Sequence, residues 1–537
     1  MIRRMTRHGT RRWFALGVLT MAVLLIGIDG TVLALATPFI SADLDASGIQ
    51  ILWIGDIYSF VLAALLISMG SLGDRIGHKK LLLCGATAFA VVSAITAYSA
   101  NPQLLIGMRA LLGMAGATLA PASLALIRGI FADQRERSVA VGIWASAFSA
   151  GAALGPLVGG VLLEHFWWGS VFLINVPVMV VMLVGGIILL PEHRDPQPGP
   201  WDLPSVALSM VGMLGVVYAI KEGFTGIAHG IGTDVVVAGL AGAVALWAFV
   251  RRQLHLPHPL IDVRLFTNRR FSGVVAANLL SVLGLSGLVF FLSQYFQLVH
   301  GYGPLRAGLA ELPAAVTAMV FGVIAGVLVR RLSHRLVLTA GLTLVGVAMA
   351  MMALALLVFT PVAPYLPLGL ALFVVGVGLG LAFTVASDVI LASVPTERAG
   401  AAAAVSETAY ELGMALGIAI LGSVVTAVYR TVALPGLPDV VAAQARDSLP
   451  GALHAAQSLP AEQAGALLEA TRTAFTHGLA VGSGVGAVLL LASAAAVWVL
   501  LASPRPAEVG VLANPGVHGD PGRDRRVDAP CGAELRD

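Results

Sequence analysis

The chain has 537 residues, of which 58% are hydrophobic and only 11% are charged. Soluble globular domains carry about 25% charged residues, and no soluble core could bury this much apolar surface, so the composition excludes a soluble globular protein. The net charge is +3 and the sequence pI is near 9.0, which reflects arginines in loops rather than a surface for nucleic acid.

Fourteen stretches are long and apolar enough to cross a membrane, which takes about 20 residues each. The predicted spans are residues 14–38, 50–71, 80–99, 103–130, 139–163, 169–190, 203–221, 233–250, 271–298, 306–329, 336–358, 366–391, 400–428 and 477–501. The arginine-rich start and Ala34-Leu35-Ala36 imitate a cleavable signal peptide. Because Asp29 interrupts the apolar region and many spans follow, we interpret this segment as an uncleaved first span.

The placement of Lys and Arg predicts the orientation, because cytoplasmic loops of membrane proteins carry an excess of both. If the N-terminus is cytoplasmic, the inner loops receive most of these residues. The outer side then receives only Lys221, Arg306, Arg430, Arg446 and Arg472. We therefore expect an all-α polytopic membrane protein with both termini in the cytoplasm.

An internal repeat divides the chain into halves. Residues 139–155 align without gaps onto residues 401–417, which pairs span 5 with span 13, and the loop Gly70–Lys80 has a weaker copy at Gly326–Arg335. Duplicated halves around a midplane site are a recurrent plan of transporters. The predicted units are a six-helix bundle (1–195), an inserted helix pair (196–255), a second six-helix bundle (256–502) with an outer loop at 430–475, and a disordered cytoplasmic tail (503–537).

Four acidic residues lie within the predicted spans: Asp29, Asp56, Glu407 and Glu411. Ionisable groups at membrane depth are costly and usually functional. Glu407 and Glu411 are one helical turn apart on one face, and two carboxylates this close resist ionising together. These acids are candidates to exchange protons for a cationic substrate. Glu311, Asp388, Lys221 and Glu222 lie near span ends, so we expect them at the membrane interface.

Other polar and aromatic residues in the spans have more than one interpretation. Arg109 is either the structural partner of a carboxylate or part of a proton relay. Asn175 and Gln294 are expected to hydrogen-bond neighbouring helices. The aromatic candidates for cation–π contact with a substrate, worth about 0.5–2 kcal/mol each, are Tyr58, Tyr410 and Tyr295.

Two motifs combine tight turns with close helix packing. After span 2 the chain reads Gly70-Ser-Leu-Gly-Asp74-Arg75-Ile-Gly77-His-Lys79-Lys80, and we expect its charges to form an inner gating cluster. Span 5 contains Gly151, Gly155, Pro156, Gly159 and Gly160. The proline removes a backbone donor, and the glycines give a flat face for another helix.

Together with Arg109-Ala-Leu-Leu-Gly113 in span 4, these motifs resemble those of the major facilitator superfamily. Asp29, Asp56 and Glu407-Thr-Ala-Tyr410-Glu411, with fourteen spans, resemble its fourteen-helix drug:proton antiporters. The resemblance implies two six-helix bundles plus two extra helices. It also implies a monomer in the bacterial plasma membrane, and export of amphipathic, mainly cationic drugs in exchange for protons. It implies no enzyme activity, cofactor or metal.

Two alternatives remain open. A dedicated exporter of one endogenous antibiotic, lipid or peptide would share every motif, and a transport-inactive membrane sensor or partner would tolerate neutralisation of the acids. The sequence has no Gly-x-x-x-x-Gly-Lys-Ser/Thr phosphate loop, so energy is expected from an ion gradient. One charge moved through 100 mV is worth about 2.3 kcal/mol, and four acids allow one or two protons per cation.

Overall fold

A computed structural model describes residues 2–131, 133–192, 202–226, 232–257, 259–261, 263–392, 399–434 and 437–501. Every regular element in these ranges is helical. The helices are α1 (Ile2–Leu44), α2 (Gly48–Ile76), α3 (His78–Thr96), α4 (Pro102–Ile130), α5 (Gln134–His165), α6 (Ser170–Leu173), α7 (Asn175–Leu189), α8 (Leu203–Gly226), α9 (Thr233–His255), α10 (Arg269–Gln294), α11 (Pro304–Leu328), α12 (His334–Val358), α13 (Tyr365–Ala392), α14 (Ala399–Tyr429), α15 (Asp439–Asp447), α16 (Leu449–Ala456) and α17 (Ala461–Leu500). A 3₁₀ turn covers Val263–Thr267, and a π turn covers Tyr295–Val299.

Fourteen helical segments of the described chain are long and apolar enough to cross a membrane, which confirms the predicted fold class. Span 6 consists of α6 and α7, separated by a break at Ile174. The last span is longer than predicted, because α17 begins at Ala461 instead of 477 and continues outward as one helix. The predicted tail, 503–537, lies outside the described residues.

The outer surface of α9 shows which solvent the helices meet. Val237, Leu240, Val244 and Trp247 lie on one face at helical spacing, and each is 60% exposed or more. A continuous apolar face of this kind is unfavourable in water and is normal against lipid acyl chains. The helices are therefore held together in lipid by close packing and internal polar contacts.

The same contacts recur in both halves. Gly151 and Gly155 of α5 lie against the carbonyl groups of Leu24 and Ile28 in α1. In the second half, the counterpart glycines, Gly413 and Gly417 of α14, lie against the carbonyls of Leu279 and Leu283 in α10. The α1 and α10 residues differ by a constant 255 positions.

Hydroxyl groups complete these two helix pairs. Thr31 donates a hydrogen bond to the carbonyl of Ala152 at 3.1 Å, and its counterpart Ser286 donates to the carbonyl of Met414 at 2.9 Å. The repeated sequence therefore makes repeated contacts.

The helix pair α8 and α9 lies against the seam between the halves. Val217 of α8 packs with Phe60 of α2 and with Ala415 and Ala419 of α14. Of the two helices, α8 is the one that contacts the seam. Helix α9 contacts mainly α8, and its other face is exposed on the outside of the protein. The predicted inserted pair thus covers the junction of α2 and α14. Residues 2–501 form one compact unit, and the predicted boundaries within it stay predictions.

The outer loop at 430–475 contains a folded cap. Helices α15 and α16 pack against the outer part of α17 through a small core that includes Ala445, Ala452 and Leu467. The Asp447 carboxylate accepts hydrogen bonds from Arg430, at 2.9 Å, and from the backbone N–H of Gly48 at the start of α2, at 2.9 Å. The cap thereby links the second half to the first.

The two halves meet at their outer ends. The amide of Gln297 donates to the carbonyl of Leu35 at 3.1 Å, and the backbone N–H of Leu305 donates to Glu164 at 3.4 Å. A methyl group added at Gly160 would lie 2.9 Å from the Cα of Leu305. With the cap contact at Gly48, these interactions close the outer side.

We expect Gly151→Ala to destabilise the protein, because its added methyl group would collide with the backbone of Leu24. Overpacking of this kind costs about 1–3 kcal/mol. Gly142→Ala is the matched control on the same helix, since no atom lies within 4 Å of the methyl position there. Thermal unfolding in detergent should give a lower Tm for Gly151→Ala only. Equal Tm values would contradict the packing described for α1 and α5.

Candidate functional site

A buried ion pair lies at the centre of the first half. The Arg109 Nη1 of α4 donates to the Asp29 Oδ2 of α1 at 2.7 Å, and the two side chains are 1% and 0% exposed. Arg109 also donates from Nε to the carbonyl of Ile54 in α2 at 3.2 Å. Of the two interpretations of Arg109, the geometry supports a partner of a carboxylate. A relay role is compatible with the same contact.

Aromatic and amide groups enclose the pair. The guanidinium lies 4.7 Å from the ring centre of Tyr58 and 6.0 Å from that of Phe172. Asn175, at the start of α7, donates to Asp29 at 3.4 Å and to Ser93 of α3 at 3.1 Å. Asn175 therefore does connect helices, as expected, but it also contacts the principal carboxylate. The buried Tyr58 hydroxyl and the Asn175 side-chain oxygen both lack a hydrogen-bond partner, so the site keeps two free polar groups.

The second half adds a carboxylate to this site. Glu411 of α14 is buried, has Ser59 of α2 as its polar neighbour, and lies close enough to Asp29 and Arg109 to interact with their charges. Glu407, one turn nearer the inner side, is half-buried and interacts electrostatically with Glu411. Acids from both halves thus share one site with a single arginine.

An aromatic contact crosses the halves beside these acids. The ring of Tyr410 lies 5.3 Å from that of Phe148 in α5 and 5.6 Å from that of Phe383 in α13, both edge to face. Phe148 and Tyr410 are counterparts in the internal repeat, so their contact lies on the pseudo-twofold axis. Tyr410 is well placed to contact a substrate between the halves.

Asp56 of α2 lies one helical turn before Ser59, the polar neighbour of Glu411. It is fully buried and shares a helical face with Trp53 and Phe60, which pack toward α8 and α14. The structure brings Asp29 and Glu411 together, and it places Asp56 on an α2 face whose neighbouring residues pack toward α8 and α14. Its proposed role in proton coupling stays a prediction.

The loop motif makes its described contacts within the first half. Asp74 lies 2.9 Å from the ring Nε2 of His78, and Lys79 donates to the carbonyls of Ile187 and Leu190 at the end of α7. Gly77 has a φ of 101°, and a side chain there would also collide with Glu192. Gly70 lies beside Pro121 of α4, while Arg75 and Lys80 are exposed. The gating role stays a prediction.

The glycines of span 5 serve two interfaces. Gly151, Gly155 and Gly159 face α1, whereas Gly160 and the carbonyl of Pro156 face α11 of the other half. The motif therefore packs α5 within its own half and closes the outer seam between halves. This dual use explains why small residues are needed on two faces of one helix.

Two residues have environments that differ from their sequence interpretation. The Tyr295 hydroxyl accepts from the backbone N–H of Ala363 at 2.8 Å, and its ring packs on His300, which gives Tyr295 a structural place in the second half. Glu311, expected at the membrane interface, is only 6% exposed. Its depth in the membrane stays a prediction, but protein covers the side chain, which residue count along a helix does not show.

Comparisons with known proteins agree with this architecture. The Major Facilitator Superfamily profile matches residues 19–418. The multidrug efflux pump LfrA of Mycolicibacterium smegmatis is 47% identical over 496 residues, which cover 92% of this chain and 97% of the relative. The methyl viologen resistance protein SmvA of Salmonella typhimurium is 40% identical over 487 residues, which cover 90% and 97%.

A solved structure supports the fold alone. A bacterial homologue of the human lysosomal transporter Spinster, in an inward-facing and unoccupied conformation, superimposes with a TM-score of 0.64 at 18% identity. The match covers 91% of this chain and 97% of the other.

We expect Asp29→Asn to reduce both transport and stability. The substitution leaves Arg109 buried without its countercharge, and breaking such a pair costs about 3–5 kcal/mol. The double variant Asp29→Asn with Arg109→Gln removes both charges and should recover stability but not transport. Thermal unfolding and drug efflux of purified protein in vesicles measure the two effects. Full transport by the double variant would contradict a functional role for the pair.

Proposed function

Since the chain belongs to the major facilitator superfamily, a family of membrane transporters, we propose that it is a multidrug antiporter. It exports amphipathic, mainly cationic compounds in exchange for protons. The chain is a multi-pass protein of the bacterial inner membrane. The names of the two relatives support drug substrates, and methyl viologen is an aromatic dication. We expect the transporter to act as a monomer.

The observation that carries the proposal is the meeting of Glu411 with the Asp29–Arg109 pair. With all three groups ionised, this site has one net negative charge. A buried site of this kind is stable only when that charge is compensated. A proton on one carboxylate compensates it, and so does a bound monovalent cation. The two ligands therefore exclude each other, which is the requirement for exchange.

Aromatic groups beside the acids support an amphipathic ligand. Tyr410 lies between Phe148 and Phe383, and a cation over an aromatic face gains about 0.5–2 kcal/mol. Because the rings come from both halves, a flat hydrophobic cation bound there would contact both bundles. Glu407 adds a further carboxylate at the inner side, where a drug from the cytoplasm would arrive.

The closed outer side fits the uptake step of this cycle. The halves are joined near Leu35, Glu164 and Gly48 on the outer side. In this conformation the acids are separated from the outer medium, so substrate exchanges with the cytoplasm. Export then requires the outer contacts to open while the inner ends approach each other.

Proteoliposomes with an imposed pH gradient provide the direct test. We expect wild-type protein to transport ethidium in exchange for protons and Glu411→Gln to lose at least about 90% of that flux, since neutralising one acid removes the competition at the site. Asp388→Asn is the matched control, because Asp388 is exposed at the inner end of α13 and pairs with His334 at 3.0 Å. Wild-type rates in Glu411→Gln would contradict the proposed mechanism.

The same vesicles separate the proposal from its alternatives. A panel of monovalent, divalent and neutral compounds should show broad transport of lipophilic cations. Transport of one chemical class alone would indicate a dedicated exporter. No transport by any compound, with the protein folded, would indicate a sensor or partner.

A further inference from the structure

Glu311 of α11 is a buried acid that the proposed exchange site does not include. Its side chain is 6% exposed, and both carboxyl oxygens lack a hydrogen-bond partner. The Ser293 hydroxyl of α10 is its polar neighbour, but it does not reach hydrogen-bond geometry. An ionised carboxylate in such surroundings would be very unfavourable, so the group is a neutral acid when the outer side is closed.

The position of Glu311 connects it to closure of the halves. One turn toward the outer end of α11, Gly308 packs against the carbonyl of Pro156 and the side chain of Leu35, both in the first half. Residues three apart share a helical face, so Glu311 faces the same seam. Nearby, Gln297 bonds to Ser293 and to the carbonyl of Leu35, which links the polar end of this seam to α1.

The internal repeat gives the same placement independently. The carbonyl of Tyr58 in α2 lies against Gly113, and the carbonyl of Ala314 in α11 lies against Gly376 in the same way. Tyr58 and Ala314 are therefore counterparts in the repeat. Three residues earlier on each helix, Gly55 is the counterpart of Glu311. Gly55 faces Phe290 and Ile418 across its seam. Their counterparts in the first half are Leu35 and Pro156. By both routes, Glu311 lies against the outer part of α1 and α5.

The ionisable groups of the surrounding elements are engaged elsewhere. From α5, Glu164 accepts from the backbone of Leu305, and from α13 the Tyr365 hydroxyl donates to the carbonyl of Ala310 at 3.1 Å. On α11 itself, Arg306 lies over the ring of Tyr302, 4.0 Å from its centre.

The remaining ionisable groups near Glu311 lie beyond the end of α10. The Tyr295 hydroxyl accepts from the backbone of Ala363. Burial lowers the pKa of His300, so that ring is neutral near pH 7. From α1, the carbonyl of Leu35 bonds to Gln297. No described contact therefore gives Glu311 a countercharge.

We propose that Glu311 is a second proton-binding site, which takes a proton from the outer medium and must hold it for the outer seam to close. When the seam opens, water reaches the carboxyl group and the proton can leave to that water. When the carboxylate binds a proton again, its O–H bond forms and the neutral group can be buried. This inference rests on the proposed proton-coupled transport and assigns a step of that cycle to an additional residue.

Cysteine labelling in intact cells tests the inference without any drug. Leu35 is 0% exposed in the closed seam, so a cysteine there should react with an impermeant maleimide only when the outer side opens. The parent protein carries Cys84→Ser, Cys531→Ser and Leu35→Cys. In Glu311→Gln, residue 311 cannot ionise, so the labelling rate of this variant shows how pH changes the thiol reaction itself. Glu462→Gln, an exposed acid at the outer start of α17, is the matched control.

We expect outer alkalinity to open the seam through Glu311. Between about pH 6 and about pH 8, the labelling rate of the parent divided by that of Glu311→Gln should rise roughly fivefold or more, because one coupled group can shift an equilibrium by up to about tenfold per pH unit. Glu462→Gln should behave like the parent. Glu311→Asp should keep the pH dependence. If Glu311→Gln does not reach the membrane, Glu311→Ala replaces it as the variant that cannot ionise.

A ratio that stays constant with pH would overturn the proposal, since the seam would then open independently of Glu311. So would loss of the pH dependence in Glu311→Asp when that variant is folded and present in normal amount. Failure of ethidium transport by wild-type protein, with the labelling result intact, would instead contradict the proposed function. The two hypotheses are thereby tested separately.

Discussion

The ion pair between Asp29 and Arg109 constrains the whole first half. At 2.7 Å and almost without exposure, it requires α1 and α4 to stay in contact, and Arg109 also holds the backbone of α2 at Ile54. In lipid there is no water to replace any of these bonds. The glycines of α5 and the amide of Asn175 then bring the neighbouring helices close enough to exclude solvent. The pair is thus a structural requirement of the first half, and it also sets the charge of the buried site.

The internal repeat builds two similar scaffolds, and the ionisable groups make them different. Leu24, Ile28 and Thr31 make the same contacts as Leu279, Leu283 and Ser286. Yet Asp29 corresponds to Gly284, and Arg109 corresponds to Leu372. The backbone contacts can therefore be symmetric while the charge lies in the first half, where Glu411 of the second half meets it. The two halves therefore share a scaffold and differ in charge.

Much of the fold could be predicted from the sequence, because a segment that crosses lipid must be a long run of apolar residues. Each span is a long apolar run, and the glycine motif of span 5 marks a close helix contact whichever helix it meets. The acids of the spans were also recognisable one by one. The sequence could not predict which residues of the two halves lie close together. The proximity of Glu411 to Asp29 depends on how α14 lies against α2.

The residues near span ends were harder to predict, for a related reason. Residues 460–475 are compatible with a helix in the sequence, but the sequence does not show that this helix continues into span 14, and position along the chain does not show what covers Glu311. In the structure, Gly308, one turn from Glu311 on α11, packs against Pro156 and Leu35, and the helix of span 14 continues outward to support the cap. Contacts between distant segments decide burial there, and no local pattern records them. Only the unusual carboxyl group within an otherwise apolar helix could have indicated the site.

The outer closure consists of two seams that are related by the repeat but differ in chemistry. One seam places Gly55 against Phe290 and Ile418, so it has no carboxyl group at the position that corresponds to Glu311. The other places Glu311 near Leu35 and Pro156. Burying one uncompensated carboxylate costs several kcal/mol, whereas one charge crossing 100 mV supplies about 2.3 kcal/mol. A single acid at one seam is therefore sufficient to make closure depend on protonation, and a second acid in the symmetric seam would only double the cost of closing.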